Sequence, residues 1–448
     1  MNFLHLSKPL KPKGGKIMKR YLLPLIMLIS LLVFSTVAGA FEPLPGVPHP
    51  DEVDFGGETV TFVGITDPRE NFEEEGDFPG RLEEAKEVFN IGEFAHEDPG
   101  DEDVLEVAYS RMMAGDAGYD FWDVDFWPAV ADDVILDVSQ FLPEEFFEAM
   151  PPQARQTAQY KTFGGQKFMF HIGNRWLGNT RLLFWNKDLF EREGLPDLYE
   201  LYENDEWTWE EFREIAVEAT RDTSGDDDID QWGLDKPQHG DFVISNAGNL
   251  NKERDGRIEF ALTDDEALDA LQFMYELNVE EEVIYEMGWD MGEAFAEGNI
   301  AMAPHELWKG PWGAIPEMED EYGIVPFPKG PVAERHYHHV VSVPTSRLLP
   351  ITSEEPLNMI AVLNFLWRPD EWYEVGQVQE VQDYAADRIS HEIIERVTEE
   401  WEYDAYRFDL LDNYEEAIGE VIEGDESPAA AMNAIADEMQ SQLDDVFN

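Results

Sequence analysis

The sequence predicts a two-lobed α/β protein, each lobe a mainly parallel sheet flanked by helices. Three observations carry this expectation. Beyond residue 40 the chain offers about 400 residues, more than one hydrophobic core ordinarily organises. Its content of 43% hydrophobic and 12% aromatic residues suffices for real cores despite a formal charge of −66. Short β-rich runs alternate with segments of helical period along most of the length, the rhythm of sheets covered by helices.

The elements follow in order. Residues 1–40 hold six cations (Lys8, Lys11, Lys13, Lys16, Lys19, Arg20) and no acid, so the chain beyond them carries −72. From Met18, a basic start, an apolar stretch from Tyr21 to about Val37 and the small residues Ala38, Gly39 and Ala40 form the pattern of a secretory signal cleaved after Ala40. Residues 1–17 read as an over-extended start or a long basic n-region. An uncleaved anchor is the alternative, since the apolar run is near the shortest length that spans a bilayer. Both readings imply export, to a periplasm or the cell exterior.

Residues 41–56 are Pro-rich and read as a linker. ETVTFVGI (58–65) alternates as a strand and feeds a loop at Asp67. RLEEAKEVFNIGE (81–93) and DEDVLEVAYSRMMAGDAG, the latter ending at Gly118, have helical spacing. YDFWDVDFWPAV (119–130) is a short strand closing on a Pro-containing loop that holds Trp127. GQKFMFHIG (165–173) and RLLFWNKDLF (181–190) are strands separated by the turn NRWLGNT. TWEEFREIAVEATRDT is a helix that Thr208 can cap, with Glu211 completing a capping box. LTDDEALDALQFMYELNV is another, capped by Thr263 or Asp264. A short helix, a buried strand at 299–303 and a Trp-bearing loop follow. YGIVPFPKGP and HHVVSVPTS read as strands, EEPLNMIAVLNFLWRPDEW as a helix, and the tail from Glu371 as helical, closing with SPAAAMNAIADEMQSQLDDVF.

Composition excludes whole classes of function. With 97 Asp plus Glu against 31 Lys plus Arg, the chain is too negative for nucleic acid or an anionic membrane surface. The acids are spread along the length rather than blocked into tails, which favours an acidic solvent-facing surface over a cation-sequestering chain. At molar salt the Debye length falls to about 3 Å and self-repulsion is screened. We therefore read a protein adapted to high salt, and only eight lysines after residue 40 agree with this. The absence of cysteine excludes disulfides, thiol catalysis, cysteine-ligated metals and a lipid-bearing N-terminal Cys.

Five segments, in order over residues 180–445, resemble the extracellular solute-binding proteins of ABC importers, the family-1 group that chiefly serves sugars. LFWNKDLFEREGLP resembles that family's "YNKDLFEKAGL", and EWTWEEFREIAVEATRDTSGDDDIDQWGLD its "TWDEF" helix and "DGDG" loop. AFAEGNIAMAPHELWKGPW resembles "F..GKAAM...G.W", YGIVPFPKGP resembles "G..PLPKGP", and SPAAAMNAIADEMQSQL resembles the closing helix. Before residue 180 the likeness is one of layout. The resemblance implies a type II periplasmic-binding-protein fold with the ligand between two lobes. By that analogy lobe 1 takes 57–172 and 323–368, and lobe 2 takes 173–322 and 369–448. It further implies a monomer that hands its ligand to a permease with its ATPase, without catalysis or cofactor.

The Asp-rich segment at 222–230 raises the question of calcium. Asp222, Ser224, Asp226, Asp228 and Asp230 fill the odd positions of a calcium loop, but position 6 is Asp227 where a glycine belongs and position 12 is Gly233 where a glutamate belongs. A structural calcium and a solvated turn both remain open.

Binding chemistry is sought instead in the aromatics, whose flat faces suit the C–H faces of sugars. Trp127, Trp176, Trp289, Trp308 and Trp312 fall in loops at strand ends or between lobes, where open α/β sheets place ligands. Trp312, in GPW, matches the family's stacking loop best, and the insertion HELWK leaves Trp308 as its rival. Trp207, Trp209 and Trp367 read as packing. Asp67, Asp125, Arg175 and Glu306 are placed for hydroxyl contacts. Enzyme signatures fail: HEIIE at His391 lacks the second histidine of HExxH, and no GxSxG, Walker A or GxGxxG occurs. HYHH at 336–339 is read as a surface cluster before a metal pair. Among other readings, a secreted carbohydrate-active enzyme and a binder of polyols, glycerol phosphodiesters or peptides remain.

Overall fold

The computed structural model describes residues 41–73, 76, 78–100, 102–124, 126–150, 162–163, 166–167, 180–336, 347–368, 384–399 and 414–447. The signal segment, Asp125, the 174–179 turn with Arg175 and Trp176, most of the 165–173 strand and the HHVVSVPTS strand lie outside the described residues.

The first lobe is built on strands β1 (Thr59–Val63), β2 (Glu93–Glu97) and β3 (Asp120–Trp122), all parallel in the order β2-β1-β3. Val60, Phe62 and Val63 of the central strand are buried, and Phe62 stacks on Phe94 and Phe121 at 6.0 and 5.5 Å. Parallel strands need long crossovers, and the helices Arg81–Phe89 and Val104–Ala114 supply them. The second is capped by Asp103, which accepts from the N–H groups of Leu105 and Glu106. It stops at Ala114 rather than near Gly118, because Gly115 adopts φ 81° and turns the chain. The apolar helix Pro356–Leu366 returns to this core, where Phe365 packs edge-on against Phe41 and Phe89. Arg81 holds its end by donating to the carbonyls of Leu366 (2.9 Å) and Arg368 (2.7 Å).

After the two-residue strands β4 (Thr162–Phe163) and β5 (Gln166–Lys167), which form an antiparallel ladder, the second lobe begins. Its sheet comprises β6 (Arg181–Asn186), β7 (Trp232–Leu234), β10 (Ile300–Glu306) and β11 (Tyr322–Val325) in the order β11-β6-β10-β7, while β8 (Asn251–Arg254) and β9 (Arg257–Phe260) form a separate hairpin. Here the mainly parallel expectation holds for one pair only. β7 and β10 are parallel, whereas β6 runs against both β10 and β11, so Arg181 pairs with Glu306.

Several boundaries differ from expectation for identifiable reasons. The strand expected over 181–190 ends at Asn186, whose side chain accepts from Leu189 N–H at 2.8 Å and starts the helix Lys187–Glu193. Thr208 precedes the helix Trp209–Ala219 without a side-chain cap. The backbone of Lys329 takes that role, its carbonyl accepting from Trp209 N–H at 3.1 Å. Asp264 likewise makes no cap bond, because its carboxylate pairs with Arg254 and Lys252. The buried strand expected at 299–303 runs on to Glu306. The return to lobe 1 expected at 323 comes later: Tyr322–Val325 pairs with β6 and Phe327 sits in the second core, while Leu348 and Leu349 pack in the first lobe. The helices Arg388–Glu399, Tyr414–Glu423 and Pro428–Phe447 cover the second core. Among the described residues no helix is long and apolar enough to cross a membrane.

Candidate ligand-binding site

Strand ends of the second lobe gather the charged groups first. Arg181, opening β6, is buried and forks onto Asp241, Nε to Oδ1 at 2.8 Å and Nη2 to Oδ2 at 2.9 Å. Its Nη1 reaches Glu306 Oε1 at 3.1 Å, and Lys309 Nζ meets Glu306 Oε2 at 2.7 Å. Glu306 therefore has a buried cation beside each of its oxygens. Burial alone would raise its carboxyl, but Arg181 and Lys309 outweigh it and hold it below the usual range. For Lys309 burial prevails over Glu306, lowering its ammonium from the ordinary value. The four charges of Arg181, Lys309, Asp241 and Glu306 cancel.

Over this network lie the tryptophans. Trp289 and Trp312 are 54% and 57% exposed and Trp308 is half-buried. The rings of Trp289 and Trp308 stand 6.3 Å apart at 38°, and Trp312 meets Tyr384 edge-on at 5.7 Å. The 289–292 loop is pinned to the short helix Lys309–Trp312 by the Ala314 N–H donating to Met291 O at 2.8 Å. Gly313 permits that approach, since a Cβ there would lie 2.5 Å from Met291 O and 2.7 Å from Lys309 O.

Two buried groups nearby went unread in the sequence. Asp235, at the end of β7, is fully buried and neither oxygen accepts a hydrogen bond. Burial first, then the charges of Asp290 and Glu286, push its carboxyl up to about 7 against the pull of Lys236. His305, on β10, is buried between Phe184 and Phe295 with both ring nitrogens unpartnered. Burial, then the cations of Lys309 and Arg181, hold its imidazole well below the ordinary range, so it is neutral.

In the first lobe, Asp67 follows β1 as expected but is engaged locally. It caps the turn Pro68–Phe72 by accepting from Arg69 N–H at 3.0 Å, and the Arg69 guanidinium forks onto it. Trp127 belongs to the helix Phe126–Ala131, not to a loop. Asp123, not singled out in the sequence, pairs with the buried Arg347 at 3.1 Å beside Gly64, where a Cβ would lie 2.8 Å from Asp123 Cβ. Trp207 and Trp209 are buried packing residues, as expected.

The Asp-rich loop closes on itself. Asp222 accepts from the N–H groups of Gly225 (2.6 Å) and Asp227 (2.7 Å), and Asp230 from those of Thr223 (2.7 Å) and Ser224 (3.1 Å). These backbone donors hold both carboxyls below the usual range. Among the described residues no three His, Asp or Glu side chains are placed to hold a metal ion, so Asp222, Ser224, Asp226, Asp228 and Asp230 do not fit calcium as arranged. His336 bonds Phe327 O at 3.0 Å and packs on Tyr202, while His338 lies outside the described residues.

The sequence profile described as bacterial extracellular solute-binding protein matches residues 101–347. The chain belongs to that family. Solved structures agree on the two-lobed type II fold. The ABC substrate-binding protein of Listeria monocytogenes in complex with cycloalternan has a TM-score of 0.59 at 14% identity, over 86% of this chain and 99% of that one. The maltose/maltodextrin-binding domain of Bdellovibrio bacteriovorus bound to maltotriose gives 0.54 at 18%, over 86% and 98%. UgpB of Mycobacterium tuberculosis in complex with glycerophosphocholine gives 0.58 at 15%, over 87% and 98%. A search of curated proteins found no match. For this solute-binding protein, the tryptophan-bearing loops at the β10 end form the candidate recognition surface of the second lobe.

Proposed function

We propose that this solute-binding protein is the substrate-binding component of an ABC importer, capturing a neutral, hydroxyl-rich solute, a sugar or oligosaccharide, outside the cytoplasmic membrane. The observation that carries the reading is the exposure of Trp289 and Trp312 above a buried ion network of zero net charge. Large exposed indoles offer stacking faces, and a balanced network beneath them offers no net attraction to an anion or a cation. The ligands named for structures of similar fold, cycloalternan and maltotriose, support the same chemistry, and glycerophosphocholine names its competitor. Closure of the lobes on the ligand, selecting one conformation from an open–closed equilibrium, would create the surface a permease recognises. The protein would act without catalysis, as a monomer, in high salt. Trp127, Arg175, Trp176, Asp67 and Asp125 are proposed to contribute from the first lobe and the connection between lobes.

The test is thermal unfolding in molar salt with maltotriose, other oligosaccharides, ribitol and glycerophosphocholine, each sample then analysed for hydrolysis. Ligand at about 100 times its dissociation constant adds roughly 2.7 kcal/mol. A selective upward shift with an intact sugar is expected. A shift with glycerophosphocholine alone would replace the sugar by a phosphodiester, and cleavage of the sugar would replace the importer by an enzyme.

A further inference from the structure

Lys309 is fully buried, yet its ammonium is not caged by carboxylates. It has one, Glu306 at 2.7 Å, and otherwise faces two indole rings, lying 4.7 Å from the centroid of Trp289 and 5.8 Å from that of Trp308. A desolvated ammonium on an indole face is among the stronger forms of cation–π contact. Trp289 comes from the loop before the helix Glu293–Ala296 and Trp308 from the residue pair after β10, so the lysine ties that loop to its own segment. Being buried, it lies on the side of the half-exposed Trp289 ring that faces away from solvent. Glu306 in turn is fixed by Arg181, and Arg181 by Asp241.

We propose that Lys309 is a positioning residue of the solute site: anchored by Glu306, its ammonium clasps the inner faces of Trp289 and Trp308 and fixes the aromatic wedge whose outer surface receives the solute. This rests on the solute-binding reading of those loops. The chain of contacts Asp241–Arg181–Glu306–Lys309 fixes the ammonium from β6, β10 and the helix His239–Ser245, all rigid parts of the second lobe. The wedge angle is then set by the sheet rather than by the two loops alone, which is what a preorganised binding surface needs. Arginine at the same place would keep the cation–π contacts, and methionine would keep the stem without the charge.

The experiment compares wild type, Lys309→Met, Lys309→Arg and the double variant Lys309→Met with Glu306→Gln, in molar salt. The double variant removes both members of the pair and guards against a variant that merely misfolds. The first readout needs no ligand: near-ultraviolet circular dichroism, with Trp289→Phe identifying the contribution of that ring. The second is the dissociation constant for whichever of maltotriose, ribitol or glycerophosphocholine binds wild type. Both methionine variants are expected to lose the Trp289 band and to bind about tenfold more weakly, while Lys309→Arg keeps the band and stays within about threefold. A Lys309→Met protein with the wild-type band, or with wild-type affinity, overturns the proposal. Failure of wild type to bind any of the solutes would overturn the importer reading instead, and the dichroism alone would then decide the role of Lys309.

Discussion

Replacing Asp235 by asparagine isolates one pH-dependent contribution in a protein otherwise crowded with acids. Asp235 is fully buried with both oxygens unpartnered, and its carboxyl titrates near 7 in the folded chain against 3.8 as the reference value. The folded state therefore keeps a proton that the unfolded state gives up from about pH 4 upward. Because the native state binds more protons across that window, stability falls as pH rises from about 4 to 7, and levels off above. Each pH unit within the window is worth at most about 1.4 kcal/mol, so the full effect is at most roughly 4 kcal/mol, and relaxation or a penetrating water would halve it. Asp235→Asn removes the titration but keeps the shape, adding only an offset independent of pH. Urea unfolding of both proteins in molar salt, from about pH 5 to 8, should show the stability of the variant relative to wild type rising by roughly 1.5–3 kcal/mol, with the rise confined below about pH 7.5. Parallel curves would refute the argument, since they would mean that Asp235 ionises in the folded protein as it does in water.

Three further outcomes follow from the same geometry. Glu306→Ala leaves Lys309 buried without its carboxylate and takes from Arg181 one of its two carboxylate partners, Asp241 remaining; it should destabilise by about 3–5 kcal/mol in denaturant unfolding, far more than removal of an exposed acid. Gly313→Ala drives a Cβ against Met291 O and Lys309 O, 2.5 and 2.7 Å away; it should cost about 1–3 kcal/mol and weaken solute binding because the two tryptophan loops are forced apart. A formal charge of −66 should make the unfolding midpoint climb steeply between about 0.1 M and 2 M potassium chloride, and a midpoint insensitive to salt would remove the high-salt reading.

The fold was legible where one local signal ruled. The alternation in TVTFV gave β1, and the helical spacing of WEEFREIAVEA gave the helix it forms. Errors arose where distant backbone competed with local chemistry. Thr208 has the right side chain for a cap, but Lys329, more than a hundred residues on, supplies the acceptor instead. The segment RLLFWNKDLF is apolar enough for one long strand, and only the capping carboxamide of Asn186 reveals the break to a helix. The YGIV strand reads correctly as β, yet its lobe is decided by pairing with β6, which local sequence does not encode.

The candidate site divides along the same line. Trp289, Trp308 and Trp312 stand out as candidates because an aromatic in a loop is visible one segment at a time. Glu306 shows what the local sequence hides: an acid at a strand end looks solvent-facing, while the fold sets Arg181, 125 residues earlier, and Lys309 beside its two oxygens. Asp235 hid among 97 acids, since nothing in composition distinguishes a carboxyl that is buried without a partner. Lys309 had a readable signal that went unused. With eight lysines after residue 40, a lysine inside LWKGPW stands against the bias of the whole sequence, which otherwise avoids lysine. Among the described side chains, the places where lysine persists are places where its charge has a carboxylate partner. That inference extends to Lys236 with Glu286 and Lys329 with Asp205, both paired. Among the described residues only Lys309 combines complete burial with two aromatic faces, and the pairing it makes is the one that organises the tryptophan surface.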